Sequence, residues 1–302
     1  MKIFFKFILL IVLLLTMYNI LIKNDYWYRI CVSAFNEDYV KWYLCDKYLA
    51  KQFARYIGFN IPKTYQLVKY PYNIKFNKKK YVVKPVDLCD GEGVYLINNN
   101  INMVTNKVVN KDNIIKELCK LRASTIYKYY MHCHMYNNTV PFTGYIVEEL
   151  LLDNEGNIPV DYKCYVFGGE LFFVAVTYDR QRINNKTNYK TVWMTKDWVP
   201  MYFSMSKKNY YYNNIKKPDN LEELIYIVEK AGKILNRHCR IDVYNINNKI
   251  YFSEFTFFCG AFLHTFLCNT ILGVLWHIYP DKNTEIKKIK ELVPNYYNKH
   301  ND

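Results

Sequence analysis

Two segments near residue 250 predict a β-hairpin that carries two acidic side chains. Arg240-Ile-Asp-Val-Tyr244 and Tyr251-Phe-Ser-Glu-Phe-Thr-Phe257 alternate as strands do, and Asn245-Ile-Asn-Asn-Lys249 between them is rich in turn residues. The pairing would place Asp242 and Glu254 on neighbouring strands among large apolar residues. Burying a carboxylate there is costly unless a partner compensates its charge. Because the sequence offers no obvious partner, the hairpin predicts a divalent metal that also holds a phosphate. The alternative is an edge hairpin whose acids point into water.

The composition of the chain is that of a globular protein. Hydrophobic residues make up 51 % of its 302 residues and charged residues 23 %, and the net charge is +14. A basic chain can bind nucleic acid, an anionic membrane or a phosphorylated ligand, but these lysines form no stripe and no nucleic-acid-binding module is recognisable. We therefore expect no nucleic-acid partner. The nine cysteines include no Cys-x-x-Cys pair, which argues against a disulfide framework and a zinc site. His132-Cys133-His134 is a chance cluster, because neighbouring side chains on a strand point to opposite faces.

The amino-terminal segment predicts a membrane anchor. Residues 7–22 are almost wholly apolar and follow Lys2 and Lys6. The segment is shorter than the roughly 20 residues that a full span prefers, but it can begin earlier if Lys6 snorkels. Small residues typical of a signal-peptidase site do not follow, so we expect an uncleaved signal anchor. The expected topology is a single-pass type II protein with a lumenal or extracytoplasmic catalytic domain, in which the sequons at Asn137 and Asn185 would be acceptors. The alternative is a buried core helix.

The remainder of the chain mixes short strands with helices. Helices are predicted over 46–57, 110–121 and 220–235, and strands over 65–68, 81–85, 145–151, 162–167 and 171–178, with Gly168-Gly169 as a hairpin turn. There is no repeat and no long linker. The pattern indicates an α+β fold with subdomains: residues 1–30 as signal anchor and stalk, and residues 31–302 as one catalytic domain.

Several segments have the chemistry of a phosphate site. Lys84 ends a predicted strand that leads into a loop containing Gly91 and Gly93; the glycines let backbone N–H groups approach anionic oxygens, and the ammonium adds charge. Gly-x-Gly turns are common, so this signal alone is weak. Glu148 and Glu149 lie on a strand otherwise built for the core, where one of them could meet an adenine amino group or ribose hydroxyls; the alternative is an edge strand with solvated acids.

Two further positions could contribute charge to such a site. Asp161 and Lys163 share one strand face, which is compatible with an ordinary ion pair as well as with a site. Arg180 is expected in a loop, free to reach an anionic group. Each of these signals is weak when it stands alone.

The order of these segments resembles the TupA-like ATP-grasp family, which is named for a teichuronopeptide biosynthesis protein. The resemblance covers roughly residues 44–266. It rests on these motifs: Asp46-Lys47, Val83-Lys84-Pro85, Gly91/Gly93, Val147-Glu-Glu149, Asp161-Tyr-Lys163, Asp179-Arg180, Lys217-Pro218, Arg240-Ile-Asp242 and Glu254-Phe-Thr256. It implies two α+β subdomains that clasp ATP, with Mg²⁺ as the second cofactor.

The resemblance also implies a role for each matching residue. Lys84 would contact the α-phosphate under the loop of Gly91 and Gly93, and Glu148 and Glu149 would lie beside adenine and ribose. The catalytic residues would be Lys163, Arg180 and Arg240. Lys163 and Arg180 would steady the triphosphate or the acyl phosphate, and Arg240 would offset the transferred charge. Asp242 and Glu254 would bind Mg²⁺. Many ATP-grasp enzymes have Asn where this chain has Thr256, which argues against tight binding of two metals.

The resemblance implies a ligase that activates a carboxylate as an acyl phosphate for attack by an amine. Its partners would be a nucleotide and a glycan, or a sugar acid and an amine, and its setting would be the modification of a surface glycan or glycopeptide. The alternatives are a glycan-modifying kinase or glycosyltransferase that uses the same Mg²⁺-bound phosphates, and a catalytically inactive module that binds nucleotide or sugar.

Overall fold

The computed structural model describes most of the chain from residue 25 onward. The described residues are 11, 13, 17, 25–35, 44–88, 91–122, 144–183, 186–201, 215–257, 259 and 264–282, without the side chains of 31–35, 180–183 and 186–188. Residues 7–22, predicted as an anchor, lie outside this set except for Ile11, Leu13 and Met17, which are helical and exposed. Asn137 and Asn185, the acceptor asparagines of the two sequons, and His132-Cys133-His134 also fall outside the described residues. Within the described ranges, no helix is long and apolar enough to cross a bilayer.

Helices of the described chain begin and end at residues that suit these positions. They are α1 (Tyr26–Phe35), α2 (Lys47–Ile57), α3 (111–122), α4 (Leu221–Leu235) and α5 (Phe266–Ile278). Asp46 caps α2 by accepting hydrogen bonds from two backbone N–H groups of the first turn, and the Thr265 hydroxyl caps α5 by accepting one from the backbone N–H of Cys268. Gly58 ends α2 in the left-handed conformation that a residue without Cβ adopts easily.

The first antiparallel sheet has six strands. They are β1 (Thr64–Val68), β2 (Lys80–Pro85), β3 (Tyr95–Asn98), β4 (Ile101–Asn102), β5 (Lys107–Val108) and β6 (Tyr145–Glu148), in the spatial order β1-β6-β2-β3-β4-β5. Ile114 and Leu118 of α3 pack against buried side chains of β2, β3 and β6. Because β6 lies beside β2, Glu148 and Lys84 come from adjacent strands of this sheet.

The second antiparallel sheet has five strands and carries the predicted hairpin. They are β7 (Asp161–Phe167), β8 (Glu170–Ile183), β9 (Lys186–Thr195), β10 (Cys239–Ile246) and β11 (Lys249–Thr256), in the order β11-β10-β7-β8-β9. β10 and β11 form the hairpin, and Asn247 and Asn248 make its turn with positive φ angles of 52° and 57°. Asp242 pairs with Glu254 across the hairpin and with Lys163 of β7 on its other side.

Helices cover both faces of the second sheet. Apolar side chains of α2 and α4 pack on the face that contains Tyr162, Cys164 and Val166, and those of α1 and α5 pack against Tyr165 and Phe167 on the opposite face. This alternation along β7 places Lys163 on the second face, beyond the part that α1 and α5 cover. The architecture is thus two antiparallel sheets with helices, and the predicted α+β class is confirmed.

α1 is part of this packing. Tyr26 and Ile30 are 0 % and 7 % exposed, and both belong to the apolar cluster between α1, α5 and the second sheet. The sequence predicts a stalk at residues 25–30. In the structure, Tyr26 and Ile30 of this segment pack against the domain.

Candidate active site

A cluster of charges lies on the face of the second sheet that carries Lys163. The ammonium of Lys163 is 2.7 Å from a carboxylate oxygen of Asp242 and 2.7 Å from one of Asp161. Arg240 binds the Asp242 carboxylate with two nitrogens, each 2.7 Å from an oxygen. The expectation that Asp242 lacks an obvious partner is therefore wrong, because strand pairing brings Lys163 beside it and the two-residue period brings Arg240 to the same face.

Glu254 and Thr256 extend this cluster on β11. A guanidinium nitrogen of Arg240 lies 3.4 Å from a carboxylate oxygen of Glu254 and 3.1 Å from the hydroxyl of Thr256. Glu254 is more open than Asp242, with side-chain exposures of 37 % and 1 %. Arg240 therefore links both predicted metal-binding carboxylates to Thr256.

The charges of this cluster hold one another in their ionised forms. Burial alone would raise the pKa of Asp242, but the attraction of Arg240 and Lys163 lowers it to about 2. Burial alone would lower the pKa of Arg240, and the Asp242 carboxylate raises it well above its usual value. The face thus presents fixed positive charge around a carboxylate that stays ionised at neutral pH.

A second charged cluster lies between the first sheet and α2. Both oxygens of the Glu148 carboxylate are occupied, one by the ammonium of Lys84 at 2.6 Å and the other by that of Lys51 at 2.6 Å. Glu148 is 3 % exposed and Lys51 is fully buried. Glu148 is therefore an internal counter-ion for two lysines in this structure.

Burial and mutual attraction compete at this second cluster. Burial alone would raise the pKa of Glu148, but the Lys51 and Lys84 ammonium groups lower it to about 2. For Lys51, burial lowers the pKa to about 7, and the Glu148 carboxylate opposes that fall. For Lys84, burial alone would lower the pKa, but attraction by Glu148 raises it. Lys84 is therefore the cation that remains charged, at the end of β2.

The two charged clusters approach each other. The Tyr244 side chain on β10 helps to raise the pKa of Lys84, so the second charged cluster lies close to β10 of the second sheet. Burial lowers the pKa of Lys47 on α2, while Glu254 from the hairpin opposes that fall. The ammonium of Lys47 donates to the carbonyl oxygen of Leu88, and its backbone N–H donates to that of Val86 at 2.8 Å. Lys47 thus ties α2 to the segment after β2 and lies between the clusters.

The predicted glycine loop follows this segment. Gly91 and Gly93 have positive φ angles of 73° and 68°. A Cβ atom at Gly93 would lie 2.9 Å from the Leu121 side chain and 3.0 Å from Pro85, whereas one at Gly91 would meet nothing within 4 Å. Gly93 is therefore required for the close packing of the loop on α3, and Gly91 leaves an open backbone.

Glu149 and Arg180 are the two remaining predicted site residues. Glu149 accepts a hydrogen bond from the backbone N–H of Lys63 at 3.1 Å, and its own N–H donates to the carbonyl of Lys63. It belongs to the edge where β6 meets the start of β1, away from the ion pairs of Glu148. Arg180 falls within β8, not in a loop as expected, and its side chain is outside the described part.

The sequence model of the family described as TupA-like ATPgrasp matches residues 32–273. The chain belongs to this family. The match includes both charged clusters, the glycine loop and the hairpin. A comparison with curated proteins gives no match.

The solved structures that match this chain do so at low sequence identity. A D-alanine–D-alanine ligase from Bacillus anthracis has 15 % identity and a TM-score of 0.44, over 83 % of this chain and 66 % of that one. The same ligase complexed with ATP has 15 % identity and a TM-score of 0.39, over 71 % and 53 %. The VanG D-Ala:D-Ser ligase from Enterococcus faecalis has 15 % identity and a TM-score of 0.42, over 76 % and 57 %. The chain thus spans about half to two thirds of these ligases.

The two lysines of α2 were given no role from the sequence. Lys47 and Lys51 are four residues apart and lie on the buried face of this family member's α2, beside Ala50 and Ala54. Two lysines at helical spacing on an otherwise apolar face are the sequence signal that could have indicated a buried carboxylate as their partner. The identity of that counter-ion, Glu148, depends on tertiary structure.

Proposed function

We propose that this TupA-like ATP-grasp protein is an ATP-dependent ligase that joins a carboxylate to an amine. The observation that carries the proposal is the pairing of two cationic clusters, one with Lys84 on the first sheet and one with Lys163 and Arg240 on the second. Phosphoryl transfer needs positioning and charge neutralisation, which fixed ammonium and guanidinium groups supply. Membership of the family supports ATP as the phosphoryl donor.

Asp242 and Glu254 fit a Mg²⁺ ion that shares its ligands with phosphates. They are cross-strand partners on one face, and Mg²⁺ commonly takes one or two carboxylates with the remaining positions filled by phosphate oxygens and water. Within the described residues there is no group of three or more His, Cys, Asp or Glu side chains that could hold a metal by themselves. When bound, the ion would neutralise phosphate charge. Arg240 would then exchange part of its contact with Asp242 for a contact with the transferred group.

The reaction divides the work among the chain's own residues. Lys84 would bind phosphate oxygens of ATP and Lys163 would steady the γ-phosphoryl group while a substrate carboxylate oxygen attacks its phosphorus and ADP leaves. Arg240 would hold the resulting acyl phosphate. The amine nitrogen then attacks the acyl carbon, the carbon–oxygen bond to phosphate breaks, inorganic phosphate departs and the nitrogen loses a proton. Arg180 is proposed to assist at the acyl phosphate.

The proposed setting is the modification of a glycan or glycopeptide, as in teichuronopeptide biosynthesis. The support is the family name and the predicted anchor in residues 7–22, which would hold the domain beside a membrane-borne substrate. The proposed topology is type II with a lumenal or extracytoplasmic domain. Alkaline carbonate should leave the full-length chain with membranes, and release by carbonate would contradict the anchor.

The decisive experiment distinguishes the ligase from its alternatives by products. The protein is incubated with ATP, Mg²⁺, candidate sugar acids and amines, and the products are measured by mass spectrometry together with ADP and inorganic phosphate. A ligase gives ADP, phosphate and a condensed product. When hydroxylamine replaces the amine, it attacks the acyl phosphate and traps the acyl group as a hydroxamate, with release of phosphate. A kinase would leave the phosphate on its acceptor, a glycosyltransferase would need a sugar nucleotide, and an inactive module would give no turnover. Any of these three results would overturn the proposal.

A further inference from the structure

A large open groove lies at the end of the second sheet, on the face opposite the charged cluster. Its volume is about 1010 Å³. Tyr162 and Val176 line it, and both belong to the apolar face that packs against α2 and α4. Lys163, one residue after Tyr162, points to the other face. The groove is therefore separate from the site proposed for phosphoryl transfer.

The lining of the groove is polar and rich in amides and tyrosines. Among the residues that form its wall are Asn154, Asn157, Tyr162, Tyr178, Asn245 and Asn247. Amide side chains both donate and accept hydrogen bonds, and tyrosine offers a flat apolar surface with a polar edge. A ligand with many hydroxyl groups and alternating apolar patches fits such a wall, whereas a wholly apolar ligand does not.

Among the described residues of this wall, one buried side-chain oxygen has no hydrogen-bond partner within the described part of the chain. Asn245 donates its amide nitrogen to the side-chain oxygen of Asn220 at 2.6 Å, but its own oxygen receives no donor. A buried acceptor without a donor is unfavourable, because it has given up its hydrogen bonds to water. A hydroxyl or amine donor from a ligand in the groove would remove that cost.

Among the described residues, the wall of the groove carries more carboxylates than cations. It contains Asp153, Glu155, Asp179 and Asp219 but only two cations, Lys216 and Lys217. Asp179 pairs with Lys190 at 2.6 Å and Asp219 pairs with Lys216 at 3.4 Å, while Asp153 and Glu155 supply the remaining negative charge. In a chain of net charge +14, this surplus of carboxylates marks the groove as a place for a neutral or positively charged group.

We infer that the groove binds a saccharide chain that carries amino groups. Hydroxyl groups would bond to the asparagine amides, sugar faces would pack on the tyrosines, and ammonium groups would meet the carboxylates. Because the groove and the cluster of Lys163, Arg240 and Asp242 lie on opposite faces of the second sheet, the groove holds the saccharide and takes no part in phosphoryl transfer. Binding therefore does not depend on the proposed ligase activity, and Asp242→Asn should leave it unchanged.

Calorimetry with three trisaccharides of defined chemistry tests this inference. The probes are glucosamine trimer with free amines, its N-acetylated form, and a uronic acid trimer. Wild-type protein should bind the free-amine trimer most tightly, the N-acetylated trimer less tightly and the uronic acid trimer least. Absence of binding to the first two, or equal or tighter binding of the anionic trimer, would overturn the inference.

Matched variants locate the binding. Asn245→Ala should weaken binding about tenfold, the value of one hydrogen bond of about 1.4 kcal/mol. Asn220→Ala removes the same Asn220–Asn245 hydrogen bond but leaves the Asn245 oxygen in place, so its affinity should stay within about twofold of wild type. Tyr178→Leu should weaken binding and Tyr226→Leu, on an exposed part of α4, should not. Equal losses in the two members of either pair would place the ligand elsewhere.

Discussion

Glu148→Gln should destabilise the fold by removing the carboxylate that pairs with both Lys51 and Lys84. The substitution keeps the size of the side chain and leaves the Lys84 ammonium, and the buried Lys51 amine whose pKa is already lowered to about 7, around a neutral amide. A carboxyl pKa that falls from 4.5 to about 2 corresponds to about 3 kcal/mol of stability at neutral pH. Breaking a buried pair by removing one partner costs about 3–5 kcal/mol. We therefore expect a loss of about 3 kcal/mol in the free energy of unfolding at pH 7.

The stability that the Glu148 carboxylate contributes should decrease at low pH. A carboxyl whose pKa is lower in the folded than in the unfolded chain stabilises the fold above its unfolded pKa, and that contribution is lost as pH falls through the folded pKa. For Glu148 the loss spans pH 4.5 to about 2. The difference in stability between wild type and Glu148→Gln should therefore be full at pH 7 and shrink as pH falls through this window.

Urea unfolding followed by circular dichroism at pH 7, 5 and 3 measures both effects. Glu149→Gln is the control, because Glu149 accepts only one backbone hydrogen bond, and it should change stability by less than about 1 kcal/mol. Lys51→Met in the Glu148→Gln background should recover stability, since it replaces a buried polar amine that has lost its partner with an apolar side chain. Equal unfolding midpoints for Glu148→Gln and Glu149→Gln, or a difference that does not change with pH, would refute the reasoning.

Three other predictions concern the site and the amino terminus. Asp242→Asn should weaken Mg²⁺-dependent ATP binding more than about tenfold in calorimetry, with an unchanged far-ultraviolet spectrum; an unchanged affinity would contradict the metal assignment. Gly93→Ala should lower the melting temperature more than Gly91→Ala, because only the former meets the Leu121 side chain, and equal effects would contradict this account. Deletion of residues 1–24 should leave a folded domain, whereas deletion of 1–30 should cost about 3 kcal/mol or more by removing buried Tyr26, and equal thermal stability would count against it.

Local patterns predicted the strands and helices better than they predicted the partners of the charged residues. The alternation of residues 240–257 and the asparagines of the turn identified the hairpin, and the structure pairs Asp242 with Glu254 across it. These signals are local, because they depend on the two-residue period and on turn conformations. The cation partner Lys163 was not identified, since its position opposite Asp242 requires β7 to lie beside β10.

The same limit explains Glu148. Its place on a strand was readable, and a role beside the nucleotide followed from the family resemblance. Its contacts with Lys51 and Lys84 join residues that are 97 and 64 positions away in the printed sequence. Such contacts depend on how α2 packs beside the first sheet, which no local spacing reveals. A role at the nucleotide is compatible with them if phosphate oxygens take Lys84 from Glu148 when ATP binds.

The packing of α1 shows that the folded domain begins before residue 31. The Nδ1 of His238 lies 2.9 Å from the carbonyl oxygen of Val166, so this nitrogen carries the proton and Nε2 accepts a hydrogen bond from the Tyr26 hydroxyl at 2.8 Å. His238 precedes β10, two residues before Arg240. The side-chain amide of Asn269 on α5 donates a hydrogen bond to the carboxylate of Asp25, the residue before α1, at 2.9 Å. A truncation that removes Tyr26 therefore disturbs the support of Arg240 as well as the apolar cluster, so loss of activity in it would say nothing about the membrane.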